Sequence, residues 1–197
     1  MSNAINKPVW EDVLDFWFGE PGSAASAGSR KEWFQKDAVF DAAIRARFAT
    51  LHTQLMAGDH ADWEQTPLAL LAKIVVLDQF SRNMLRDTPA AFASDPVALR
   101  AAQLMVANGW DSKLAPLKRW FVYLPYEHSE DRAVQADSMR LFTALAQEPG
   151  QADVLKWARA HTEIIERFGR YPHRNAILGR VSTAEELAFL ATPGSSF

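Results

Sequence analysis

Helix start and stop signals recur along the whole of this chain, and no stretch keeps up the polar and apolar alternation of a half-buried strand. That combination predicts an all-α fold. After Pro8, the residues Trp10, Val13, Leu14 and Trp17 fall at i, i+3, i+4 and i+7, an apolar helical face that Gly19 closes. A second face of Phe40, Ile44, Phe48, Leu51 and Leu55 runs from about Asp37 to a stop at Gly58. Thr66–Pro67 and Asp95–Pro96 are paired start signals, because proline has no amide to lose at the first helical position. They predict helices over 67–85 and 95–108. Four more are expected: 117–124, ended by Pro125; a helix capped by Ser129 and running to about 147; 152–168, ended by Gly169; and a short one after a capping box at Ser182–Glu185.

Helices joined by short turns pack as antiparallel neighbours, so a stack of helical hairpins is the expected architecture. A chain of 197 residues can bury a core of its own. One helical domain over 1–197 is therefore expected, with a flexible loop at 21–30 where PGSAASAGS offers only small residues. No repeat of about 34 residues is legible, so any solenoid character is degenerate. The seven tryptophans and twelve phenylalanines point to a thick aromatic core or an interface.

Composition narrows the function classes. The absence of cysteine rules out disulfides, thiolate metal ligands and cysteine nucleophiles, and it fits a reducing, cytoplasmic setting. A formal net charge of -3 argues against a surface built for nucleic acid or anionic lipid. The longest apolar run, LALLAKIVVLDQF, is broken by Lys73 and Asp78 and is too short for a bilayer. The first apolar stretch contains acids and lacks a preceding basic run, unlike a secretory signal. Neither nucleic acid nor membrane is an expected partner.

Three polar clusters carry the candidate chemistry. On a wheel of about 100° per residue, Asp78 and Arg82 fall inside the apolar arc of Leu71, Ile74, Val75 and Leu85, in the favourable acid-first i, i+4 order. By the same rotation His161 points with Val154, Trp157, Ile164, Ile165 and Phe168. Between Arg167 and Ala184 there is no acid, while Arg167, Arg170, His173, Arg174, Asn175 and Arg180 are present. Guanidinium forks match carboxylates and phosphates, which makes this stretch a candidate anion site. Pro172 forces Tyr171 toward an extended backbone. The third cluster, YLPYEHSEDR at 123–132, sets Glu127 beside His128, where a carboxylate raises imidazole basicity. Glu130 and Asp131 read as ordinary first-turn acids.

No P-loop, dinucleotide fingerprint, nucleophile elbow or HExxH motif is present, and no cofactor is expected. No metal site is expected either, since no two of His128, His161 and His173 have close ligand spacing. DQFSRN at 78–83, YLPYEHSED at 123–131, HTEIIERFGRYPHRN at 161–175 and LGRVST at 178–183 resemble the hallmark segments of the family called domain of unknown function 924. VLDFWFG and TPAAFASDPVAL fit it as well. The resemblance implies a tetratricopeptide-like, right-handed superhelix of α-hairpins, and it implies no activity.

Two functional readings follow. In one, Asp78, Arg82, Asn83, Glu127, Arg170, Arg174 and Asn175 form a pocket for a small phosphate- or carboxylate-bearing ligand, and His128, His161 or His173 transfers a proton there. In the other, the hairpins form a peptide-binding module whose arginine-rich turn clamps an acidic partner.

Overall fold

Residues 69–81 are buried without a break, and a helix with no solvent-facing side belongs in the middle of a protein. The rest of the chain wraps that segment. The computed structural model describes residues 7–23, 26 and 28–195, so positions 24, 25 and 27 of the expected 21–30 loop lie outside the described residues. Eight α-helices succeed one another, and no strand occurs among the described residues. They are α1 (Val9–Phe18), α2 (Ala38–Ala57), α3 (67–84), α4 (Asp95–Ala107), α5 (Pro116–Glu127), α6 (Arg132–Leu145), α7 (Val154–Phe168) and α8 (Ala184–Leu190). None of them is long and apolar enough to cross a membrane.

The central helix α3 packs against α1, α2, α4 and α5, and the pairs α4–α5, α5–α6 and α6–α7 pack as successive neighbours. One contiguous apolar cluster runs from Val13 in α1 to Ala158 in α7. The aromatic residues fill its thickest part. Trp17 lies 5.8 Å from Trp33, 5.5 Å from Phe80 and 5.6 Å from Phe121, mostly edge to face, the arrangement that ring quadrupoles favour. A smaller cluster of Ile164, Ile165 and Tyr171, with Phe168 and Phe189 against it, holds the C-terminal segment.

Local chemistry explains most boundaries and corrects several expectations. Asp37 caps α2 by accepting from the Val39 and Phe40 amides, as its position predicts. Thr66 precedes α3 as expected, yet its side chain makes no capping bond, so the start rests on Pro67. Pro125 does not end α5 but lies inside it, where only Tyr126 and Glu127 remain before the end and little of the ladder is lost. The cap of α6 is Asp131, whose carboxylate accepts from Ala133 and Val134, and Ser129 instead takes the Asp131 amide. The capping box before α8 lies one residue later than predicted, with Thr183 and Glu186 satisfying each other's amides. Trp157, expected on the buried face of α7, is 48% exposed, because α7 packs chiefly on α5 and α6 and leaves that edge open.

Candidate functional site

The middle of α3 is not an α-helix. Val75–Phe80 forms a π turn, a wider local winding that interrupts the regular ladder and recurs at functional sites. Two hydroxyls serve the carbonyl of Leu77 there, Ser81 Oγ at 2.8 Å and Ser94 Oγ at 2.6 Å. The turn carries Asp78, whose side chain is fully buried. Its carboxylate accepts from Gln79 Nε2 at 2.6 Å and contacts His128 Nδ1 at 2.7 Å, with Arg82 Nη1 3.3 Å away. Burial alone would push Asp78 toward protonation, but the Arg82 guanidinium, then His128, hold it well below the usual carboxylate range.

A carboxylate at Nδ1 fixes the imidazole of His128. Since Asp78 stays ionised, the Nδ1 proton of a neutral His128 points at it and Nε2 carries the lone pair. Burial, and next the charge of Arg82, lower the pKa of His128 against the pull of Asp78, so the ring is neutral near pH 7. His128 is the C-cap of α5, directly after Glu127. That buried glutamate makes the same contact with a second imidazole, His161 Nδ1 at 2.6 Å, and the Trp157 carbonyl lies 3.0 Å from the same nitrogen. The two imidazole rings are 6.3 Å apart.

The arginines converge on an acid that the sequence marks only as a helix start. Asp95, the first residue of α4, accepts both Nη1 and Nη2 of Arg82, at 2.9 and 3.1 Å. Arg174 Nη1 approaches the same carboxylate at 3.4 Å. The guanidinium of Arg174 is buried between two rings, 4.7 Å from the centroid of Phe92 and 4.6 Å from that of Tyr171. Its Nε makes no hydrogen bond within the protein. Arg82, Asp95 and His128 keep 14–19% of their side chains in solvent and form the reachable rim of the cluster.

The octapeptide FGRYPHRN is shaped to deliver these groups. Gly169 ends α7 with φ 71°, a left-handed value that a side chain would resist. Tyr171 is extended, as Pro172 requires, and Pro172–Arg174 makes one 3₁₀ turn. Tyr171 is held at both ends. Its amide donates to Glu130 Oε1 at 2.8 Å, while its hydroxyl donates to the Glu127 carbonyl and accepts from Gln135 Nε2 at 3.0 Å. His173 packs on Tyr171 at 5.6 Å between centroids; burial first, and then the Arg174 charge, push its pKa down to about 3.

The structure therefore gathers Asp78, Arg82, Glu127, His128, His161, His173 and Arg174 into one cluster and leaves three expected members elsewhere. Asn83 donates to Asp41 at 2.7 Å, an acid it shares with Arg86. Arg170 forms a fork on Glu186 at 2.6 and 2.8 Å. Asn175 is buried, donates to Ser182 and accepts from Arg180 Nε. Arg167 pairs with Glu185, and Arg180 pairs with Glu130, which is thus an anchor for the octapeptide rather than a first-turn acid. Of the four arginines in the basic stretch, Arg174 has the longest carboxylate contact, 3.4 Å to an acid that Arg82 already engages, against 2.8 Å or less for the others.

Sequence reasoning missed Asp95 as an ion partner, Phe92 as a ring under the guanidiniums, and Gln135, which braces Tyr171 and accepts from Thr162 at 3.0 Å. Among the described residues, no group of three or more histidines and acids is placed to hold a metal ion. Two surface clefts, of about 430 and 390 Å³, lie on the Ala152–Glu163 side of α7 and beside Lys73, and neither includes a residue of the cluster.

The chain belongs to the bacterial family of unknown function called domain of unknown function 924, whose family model matches residues 13–194. It is also similar to a solved protein of unknown function from Agrobacterium tumefaciens, with 37% identity and a TM-score of 0.83, over 93% of this chain and 97% of the other. No curated protein matches the sequence.

Proposed function

We propose that this family member binds a small carboxylate- or phosphate-bearing metabolite at the rim of Arg82, Asp95 and His128, backed by the buried Arg174, with His128 as the proton-transferring group. The observation that carries the reading is the Asp78–His128 dyad beside two guanidiniums. A fully buried carboxylate fixes the tautomer of an imidazole that still reaches solvent. That arrangement leaves a neutral base at Nε2, and Arg82 and Arg174 lie where an anionic substituent of the same ligand would be held. Structural ion pairs alone do not need an imidazole kept neutral at the exposed end of the network. The reading stays within a small ligand, because the rim is formed by a few side chains at the ends of α3, α4 and α5 rather than by a long groove.

A thermal-shift screen of the wild type against inorganic phosphate, phosphorylated metabolites and mono-, di- and tricarboxylates tests this. A ligand at one hundred times its Kd stabilises the folded state by about 2.7 kcal/mol. Arg174→Ala should abolish the shift, and Arg174→Lys, which keeps the charge but not the fork, should retain part of it. Failure of every anion to stabilise the wild type, or equal stabilisation of Arg174→Ala, would remove the reading.

A further inference from the structure

Lys73 breaks the longest apolar run of the chain, and the cluster around His128 makes no use of it. It lies on the central helix α3 with only 6% of its side chain in solvent. Taking an ammonium out of water costs several kcal/mol unless its surroundings compensate. Its one partner among the described residues is Glu64 Oε1 at 2.6 Å, so two of its three N–H donors have no acceptor there. Glu64 does not need the lysine, because 41% of its side chain is exposed and water solvates it. A structural ion pair alone therefore gives little reason for a buried cation at this position.

Lys73 and Glu64 line a cleft of about 390 Å³, within the size range of small-ligand sites. Leu55 and Met56, at the end of α2, form one wall. Val97, Arg100 and Leu104, spaced i, i+3 and i+7 on one face of α4, form the other. Arg100 is exposed and makes no ion pair or hydrogen bond with a described residue. The charged lining is thus Lys73, Arg100 and Glu64, with one positive charge in excess. The C-terminal end of α2 carries partial negative charge, which disfavours a second anionic group on that side. One negative charge joined to an apolar body fits this lining.

We infer that the cleft is a second binding site, for a small monocarboxylate with an aliphatic or aromatic body. Its carboxylate is taken by Lys73 within the field of Arg100, and its body lies on Met56, Val97 and Leu104. The site shares no residue with the one proposed above, so either can fail without the other.

Isothermal titration of the full-length protein with butanoate, hexanoate, octanoate and benzoate tests it, with hexanamide, hexylamine and adipate as matched controls. At least one monocarboxylate should bind, and hexanamide, hexylamine and adipate should each bind at least about tenfold more weakly than hexanoate. Lys73→Met, which keeps the apolar stem, should abolish the binding with the helical circular dichroism unchanged. Arg100→Gln, a change at an exposed position, should weaken it about threefold. Backbone amide shifts in isotope-labelled protein separate this site from the cluster: hexanoate should move the signals of Met56, Lys73, Arg100 and Leu104. Shifts confined to Arg82, Asp95 and His128 would assign the carboxylate to the cluster and overturn the cleft site. So would hexanamide binding as tightly as hexanoate, undiminished affinity in Lys73→Met, or no saturable binding at millimolar concentration.

Discussion

Asp78→Asn isolates the charge at the centre of the cluster while keeping the shape of the side chain. Three contacts depend on that carboxylate: Gln79 at 2.6 Å, His128 at 2.7 Å and Arg82 at 3.3 Å. An asparagine oxygen still accepts from His128 Nδ1, and Arg82 retains its fork on Asp95. What is lost is the buried charge opposite Arg82, and the new amide meets the donor of Gln79. Removing one partner of a buried pair costs about 3–5 kcal/mol, and the retained contacts place this case near the lower end, about 3 kcal/mol. For a chain of this size that corresponds to a fall in Tm of roughly 6–12 °C. Urea unfolding at pH 7.5 measures it directly. The double variant with Arg82→Met should be less destabilised than the sum of the singles by about 0.5–3 kcal/mol, because each single leaves a charge that the double removes. A loss below about 1 kcal/mol, or simple additivity, would mean that Asp78 and Arg82 are not a coupled buried pair.

Two further outcomes test other parts of the structure. The pKa values of His128 and His173 are lowered by burial, that of His173 to about 3, whereas in the unfolded chain both titrate near 6.5. The unfolded chain therefore binds more protons below pH 6.5, so this stability is fully present above that value and is lost as the pH falls toward the folded values. Each histidine contributes a slope of up to about 1.4 kcal/mol per pH unit. Urea midpoints between pH 7.5 and 5 should fall accordingly and fall less in His173→Gln; an unchanged slope in that variant would refute its buried, neutral state. At the start of α8, Thr183→Ala should cost about 1 kcal/mol and Glu185→Ala, at the exposed acid of the expected box, clearly less, since the hydroxyl of Thr183 holds the Glu186 amide. Equal losses in thermal denaturation would contradict the register of the box.

Helix content was legible because caps, prolines and glycines act over three or four residues. The Asp37 cap, the Pro67 start and the Gly169 stop all lie where local rules put them. The inward direction of Asp78 and His161 was also legible, since helical rotation is a local property. The π turn was not. It advances the chain by a wider winding, and its support comes from Ser94, seventeen residues away across a loop, which no periodicity could announce. Pro125 shows the opposite failure, a strong local signal overruled because the helix was about to end anyway. Trp157 failed because a wheel gives an angle but not the neighbour that would cover it.

The same distinction separates the arginines that matter from those that do not. Sequence presented Arg167, Arg170, Arg174 and Arg180 as equals, and their fates are decided by acids at distances of 18, 16, 79 and 50 residues. Glu185, Glu186 and Glu130 make close contacts of 2.8 Å or less and stitch the C-terminal segment to the helices. Arg174 meets an acid already engaged by Arg82, at a longer distance, and is pinned between aromatic rings instead. Aromatic faces hold a guanidinium in place without neutralising it. A cation buried that way keeps hydrogen-bonding capacity that a carboxylate fork would have consumed, which is why a ligand search at this site should begin with Arg174.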